Sequence, residues 1–236
     1  MIAVILAGGL GTRLKPFTQV IPKPLLPVGE SSVLEIQILS LKNCGITKIY
    51  IATNYMSEYV QAFLGDGTKY GVQIVFSKED KPLGTCGPVK LLQDQIDEPF
   101  LLMNGDVLTT LAYDRVFQFG LKSDANLTVV TKEVVTPFSF GKVIAEGDYL
   151  THVEEKPTLR IEILGGIYLL KPPIFDLIPS ESYYGIDSLI KDMLARGMKV
   201  GRYLMKEYWL DIGQADDYQT AQDAYQTHFV HLKNNL

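Results

Sequence analysis

The chain has 236 residues, 47% hydrophobic and 21% charged, so it can bury one sizeable core. Its 22 basic and 27 acidic residues leave a formal net charge of -5, which argues against a general nucleic-acid binder but not against a compact basic pocket for a phosphorylated ligand. Cys44 and Cys86 are not in C-x-x-C spacing, so neither a disulfide framework nor a zinc knuckle is expected, and a reducing, cytoplasmic setting is the default.

Residues 2–6 form an apolar run ended by Gly8 and Gly9, which predicts a parallel strand buried on both faces. The opening MIAVILAGG is too short for a membrane span and lacks a basic leader, so no membrane partner is expected. In SSVLEIQILSLKNCG, Ser32 and Glu35 have the spacing of a capping box, and Gly45 is a helix stop. The strand KIYIATN, the helix within SEYVQAFLGDG and the strand VQIVFSK follow. Next come a helix over GPVKLLQDQI, a strand PFLLMNGDV that breaks at Asn104-Gly105, a helix in YDRVFQFGLKSD and a strand NLTVVTKEV. Strands alternating with helices in this way predict an α/β sheet with right-handed crossovers.

The texture changes beyond Val134. SFGKVIAEGDYLTHVEEKP predicts a hairpin turning at Gly147-Asp148, and GGIYLLKPP another strand. IDSLIKDMLARG and QADDYQTAQDAYQTHFVHL predict two final helices, the first ending at Gly197. With no repeat and no linker rich in proline or serine, a single domain over 1–236 is expected.

The loop LAGGLGTRLKPFTQVIPKPLLPV matches neither familiar phosphate motif. A dinucleotide fingerprint starting at Gly9 and Gly11 would need glycine where Leu14 stands, and a P-loop would need lysine where Thr12 stands. Prolines at 16, 22, 24 and 27 forbid a long helix and predict an extended loop. Backbone N–H groups of Leu6, Ala7, Gly8, Gly9 and Gly11, with Thr12, can cradle a base or phosphates. Arg13 and Lys23 add positive charge along a polyphosphate.

This loop resembles the signature of the sugar-1-phosphate nucleotidyltransferases, the nucleotide-sugar pyrophosphorylases. The likeness continues, in family order, through PLGTCGPV, NGD ending at Asp106, FGKV, VEEKP, GGIY and WLDIG. It implies a Rossmann-like three-layer α/β/α fold with a mixed, mainly parallel sheet and a small antiparallel section. Residues 1–134 would then bind nucleotide, and residues 135–236 would supply the sugar-phosphate part and the last helices. The implied reaction joins a nucleoside triphosphate to a sugar-1-phosphate, releasing pyrophosphate; it needs charge neutralisation and alignment rather than a nucleophilic side chain.

In that family setting Arg13, Lys23, Asp106, Lys156 and Asp211 are the catalytic set. Asp106 and Asp211, each at a strand end, are the implied ligands of Mg²⁺. The resemblance gives Lys156 to the phosphate of the sugar-1-phosphate and Glu155 to sugar hydroxyls, with Asn104, Gly141 and Gly166 also on the acceptor side. Gly8, Gly84, Thr85 and Glu79 are the candidates for reading the base. LGTCGP and NGD lean toward the mannose- or heptose-1-phosphate guanylyltransferase type, with thymidylyl, cytidylyl and uridylyl transfer as alternatives.

Two positions depart from the pattern. Leu164 stands where the family often has a sugar-contacting asparagine, and Lys142 where an apolar residue is frequent, so the acceptor sugar stays open. A non-catalytic nucleotide-sugar sensor is disfavoured by the full charged set, and an oxidoreductase by Leu14 and the PKP segment. Self-association into a homo-oligomer is left open. His228 and His231 are read as surface or packing residues, and Trp209 as filling the core.

Overall fold

The computed structural model describes residues 1–235. In chain order its strands and helices are β1 (Ile2–Leu6), β2 (Pro27–Val28), β3 (Ser31–Ser32), α1 (Val33–Asn43), β4 (Lys48–Thr53), α2 (Ser57–Leu64) and β5 (Gln73–Lys78). Then come α3 (Gly87–Lys90), β6 (Phe100–Asn104), β7 (Val107–Thr109), α4 (Tyr113–Lys122), β8 (Leu127–Pro137), β9 (Lys142–Glu146) and β10 (Tyr149–Glu154). The last are β11 (Thr158–Leu170), α5 (Ile186–Ala195), β12 (Gly201–Met205), β13 (Trp209–Asp211) and α6 (Ala215–His228).

Seven strands form one sheet in the order β12-β8-β11-β6-β1-β4-β5. Every adjacent pair is parallel except the two that include β11, which runs against both β6 and β8. Successive side chains of a strand point to opposite faces. Accordingly Ala3, Ile5, Leu101 and Met103 enter one apolar core, and Val4, Phe100 and Leu102 the other. Burial on both faces is why these strands read as continuous apolar runs.

Helix α1 starts as its sequence predicts. Ser32 Oγ accepts the Glu35 N–H at 3.2 Å, and Glu35 Oε2 accepts the Ser32 N–H at 2.8 Å. Two expectations are corrected. The helix read over GPVKLLQDQI is helical only at Gly87–Lys90, after which N–H groups bond three residues back, Leu92 to Val89 and Gln95 to Leu92. The loop after β1 is not extended: it winds through 3₁₀ turns at Thr12–Leu14, Phe17–Gln19 and Lys23–Leu25. Proline suits the start of such a turn, because its fixed φ is near the 3₁₀ value and no donor is needed there.

Strands β8 and β11 run on past the sheet. Beyond Lys132 they pair only with each other, forming a two-stranded arm that carries the β9–β10 hairpin and its Gly147-Asp148 turn. Where β11 leaves the sheet its register breaks between Leu164 and Ile167. A Cβ on Gly165 would lie 2.4 Å from Met205 Cε and 3.0 Å from the Val130 carbonyl oxygen, so the bulge is tight there, and Gly166, with φ +70°, sits where glycine is favoured. Trp209 Nε1 donates to the Gly165 carbonyl at 2.9 Å and pins this bulge.

Ser32→Ala removes half of the capping box. It is expected to cost about 1 kcal/mol and lower the thermal midpoint by about 2–4 °C, readable by calorimetry.

Candidate active site

Parallel strands β1, β4 and β6 end on the same edge of the sheet, which is where open α/β sheets hold ligands. A cavity of about 350 Å³ opens there, within the range of small-molecule sites. Its wall includes Leu6, Gly8 and Gly9 after β1, Asn54 after β4, Glu79 after β5, Leu83–Thr85, and Asn104–Asp106 after β6. A Cβ on Gly8 would sit 2.9 Å from Glu79 Oε1 and 3.1 Å from Asn54 Cβ, so any larger residue would have to displace the Glu79 carboxylate.

Glu79 is no surface carboxylate. It is 8% exposed, and its Oε2 accepts the Leu83 N–H at 2.8 Å, fixing the loop that follows. Burial pushes its carboxyl above the ordinary range, and the Leu83 bond pulls the other way. The same loop is clipped to the start of α5, where Thr85 Oγ1 accepts the Ile186 N–H at 2.7 Å and the Tyr184 carbonyl accepts the Cys86 N–H at 2.9 Å. Gly84 turns with φ +80°, its backbone tight against the Tyr184 carbonyl.

At one end of the cavity two carboxylates far apart in sequence become neighbours. The antiparallel β7–β13 pair sets Asp211 opposite Val107, and the Ile212 N–H donates to the Asp106 carbonyl at 3.0 Å. Asp106 Oδ2 is ion-paired with Lys23 Nζ, while Asp106 Oδ1 is buried with no partner. Arg13 lies over Gly213, its Nη1 3.5 Å from where a Cβ on that glycine would be. Burial raises the Asp211 carboxyl to about 6. The Asp106 charge adds to this, Lys23 and Arg13 oppose it, and Asp217 adds a little more.

An orphaned carboxylate oxygen beside a second carboxyl that resists ionisation suits a small hard cation. Among the described residues no group of three or more His, Cys, Asp or Glu side chains is placed to hold a metal. Two protein carboxylates leave the other positions of an octahedral ion to phosphate and water.

Of the predicted residues, the structure thus brings together Arg13, Lys23, Asp106 and Asp211, and lines the adjoining cavity with Leu6, Gly8, Gly9, Glu79, Gly84, Thr85 and Asn104. Gly166 joins them, since a Cβ there would lie 3.0 Å from Asn104 Nδ2. Ala7 does not offer its N–H, which donates to the Ala52 carbonyl at 2.7 Å and extends the parallel ladder. Gly11 and Thr12 lie outside the cavity wall. Gly11 instead shapes the loop, its carbonyl accepting from Thr18 Oγ1 at 2.8 Å.

Lys156, Glu155 and Gly141 are also outside that wall. They are exposed at the base of the hairpin, where Glu155 Oε2 approaches Gly141 and Lys156 has φ +45°. Trp209 and His228 are packing residues as read, His228 stacking on Tyr208 at 4.2 Å. Sequence reasoning missed Asn54 and Tyr183 in the cavity wall, and Gln37 beneath the Asn104–Val107 turn. For Gln37 a signal existed: it interrupts the apolar run of LEIQILSL.

A sheet covered on both faces, with glycine loops and a carboxylate pair at its strand ends, defines an open α/β protein with a ligand-sized cavity at that edge. A family model for nucleotidyl transferases matches residues 2–228, and the chain belongs to that family. It is 34% identical over 234 residues to "Probable mannose-1-phosphate guanylyltransferase 1" of Oryza sativa subsp. japonica, and 33% identical over 234 residues to the mannose-1-phosphate guanyltransferase of Saccharomyces cerevisiae. Each alignment covers 95% of this chain but 64% of the relative, so the chain spans less than two thirds of their length. HddC of Yersinia pseudotuberculosis is similar in structure, with a TM-score of 0.75, 28% identity, and coverage of 95% of this chain and 99% of that one. HddC in complex with GMP-PN matches with a TM-score of 0.74 and 27% identity over 95% of this chain and 99% of that one.

Because the Asp211 carboxyl is raised on folding, its stabilising contribution is present at low pH and is lost as pH rises through about 6. In metal-free buffer Asp211→Asn should therefore melt about 2–4 °C above the parent at pH 8, or about 1 kcal/mol after discounting for solvent screening. The difference should vanish below pH 4. Melting curves across pH, with chelator present, read this directly.

Proposed function

We propose that this chain is a sugar-1-phosphate nucleotidyltransferase, favouring guanylyl transfer to mannose- or heptose-1-phosphate. An oxygen of the sugar phosphate attacks the α-phosphorus, the bond from that phosphorus to the bridging oxygen breaks, and pyrophosphate leaves as the nucleotide sugar forms. Two anions must meet, so catalysis rests on placing positive charge and aligning the reactants. The observation that carries this reading is Asp106 with an unpartnered buried oxygen beside Asp211, at the cavity end where Lys23 and Arg13 converge.

Asp106 and Asp211 are the residues that would hold Mg²⁺, whose chemistry when bound is to offset the repulsion between the substrates' phosphates. Arg13 and Lys23 hold the triphosphate and take up charge as pyrophosphate departs, Arg13 as a fork and Lys23 as a point charge. For the base, the Glu79 oxygen beside Gly8 suits guanine, whose N1–H and N2–H₂ both donate to a carboxylate, whereas thymine and uracil offer a single ring N–H. The similar structure determined with GMP-PN, a guanosine phosphate, and the guanylyltransferase names of the curated relatives support this choice.

On the acceptor side, Asn104 and Gly166 meet beside the carboxylate pair. Glu155, Lys156 and Gly141 are assigned to the sugar phosphate through the family resemblance, with the arm as their carrier. Leu164 is 44% exposed where β11 leaves the sheet, and its side chain cannot donate to a sugar, which leaves the acceptor hydroxyls to Asn104 and Glu155.

Four triphosphates assayed against mannose-, heptose- and glucose-1-phosphate by pyrophosphate release should give the highest kcat/KM with GTP and a manno-configured acceptor. A higher value with another triphosphate would reject the guanylyl assignment. Glu79→Gln should reduce use of GTP by about 10–100-fold relative to the other triphosphates. Asp106→Ala should lower kcat by about 10³-fold with the fold intact, and Arg13→Ala should lower kcat without changing the order of base preference.

A further inference from the structure

Gln37 lies in the middle of α1, 2% exposed, among Leu34, Ile36, Ile38 and Leu41. Its Nε2 donates to the Asn104 carbonyl at 2.9 Å and to the Val107 carbonyl at 2.8 Å. These two carbonyls bracket Gly105-Asp106, the turn between the end of β6 and the start of β7. One side-chain amide thus ties both ends of the two-residue turn whose tip carries a carboxylate of the active site. The orientation of the amide follows, because its oxygen could not face two carbonyl oxygens.

The remaining ties of this turn show what Gln37 adds. The Gly105 N–H donates to the Leu6 carbonyl at 2.9 Å, and the Asp106 carbonyl accepts from Ile212. Those bonds join the turn to β1 and to the segment after β13, but neither fixes the distance between its two ends. Gln37 does so from below, on a helix whose apolar face is packed into the core. The arrangement also carries a cost. Gln37 Oε1 is buried with no hydrogen-bond partner, a cost that a leucine or methionine at this place would not carry.

We propose that Gln37 is a positioning residue for Asp106: it holds the Asn104–Val107 turn in the one shape that presents Asp106 to Asp211 and to a divalent cation. Gln37 touches neither substrate nor cation, and acts through the two carbonyls it binds. The inference rests on the assignment of Asp106 and Asp211 proposed above.

Gln37→Met keeps the length and apolar packing and removes both donors; Gln37→Leu does the same with a different shape and serves if the first variant folds poorly. Three quantities are measured on the full chain: the thermal midpoint, Mn²⁺ binding without substrates by water-proton relaxation, and steady-state kinetics with Mg²⁺ varied. The expected result is a midpoint within a few degrees of the parent, Mn²⁺ affinity lowered at least fivefold, and kcat lowered about tenfold. KM for the triphosphate should stay within twofold, and the fall in kcat should exceed any loss of folded protein, which alone would lower apparent kcat and leave KM unchanged. Unchanged Mn²⁺ affinity and kcat would overturn the proposal, as would activity lost only in proportion to unfolded protein. Asp106→Asn is the control. If it leaves Mn²⁺ binding and turnover intact, the assignment of the site itself fails. If it abolishes both while Gln37→Met alters neither, only the role of Gln37 fails.

Discussion

The constraint on which the site depends is the enforced closeness of two carboxylates, one of them largely removed from water. Asp106 and Asp211 lie side by side at the end of a mostly apolar cleft, and the second is held so unfavourably for charge that it titrates near 6. Left alone, two such groups would move apart. The backbone prevents movement: β7 and β13 are paired, and the Asp106 carbonyl is bonded to Ile212. Lys23 compensates one oxygen of Asp106, and the other is left without a partner. Two carboxylates therefore face two cationic side chains, with one carboxylate oxygen left unpartnered.

The rest of the architecture places that pair. Parallel strands buried on both faces bring several loops to one edge, and each contributes a different element of the site. The loop after β1 supplies Gly8, Gly9, Arg13 and Lys23. The turn after β6 supplies Asp106, and the segment around β13 supplies Asp211. Glycines are required where backbone meets backbone: a Cβ on Gly105 would lie 2.5 Å from the Leu6 carbonyl oxygen. The antiparallel β11 has a second role. Its bulge sets Gly166 against Asn104, and its outer half leaves the sheet to form the arm that carries Glu155 and Lys156.

Much of this was legible in the sequence because it follows from local rules. Apolar runs ending in glycine marked β1 and β6, the Ser32–Glu35 spacing marked the start of α1, and Gly147-Asp148 marked the hairpin turn. The ordered motifs pointed to Asp106, Asp211, Arg13 and Lys23. Their convergence depends on pairing β7 with β13, strands of three residues each, too short to leave a periodic pattern. For Glu79 the sequence allows a base contact and a surface carboxylate beside Lys78 and Lys81 equally, and only the fold buries it. Ala7 shows the opposite error, since a residue inside a glycine-rich loop motif spends its N–H on the β4 side of the sheet. The prolines were read correctly as helix breakers, but their compatibility with 3₁₀ turns was not used.

The most direct test of the central claim is a crystal of the chain grown with Mn²⁺ and nucleotide sugar, with the metal located by its anomalous scattering. The account predicts manganese ligated by carboxylate oxygens of both Asp106 and Asp211 and by the diphosphate of the nucleotide sugar. Manganese held by the diphosphate alone, with Asp106 still paired to Lys23 and Asp211 turned away, would contradict it.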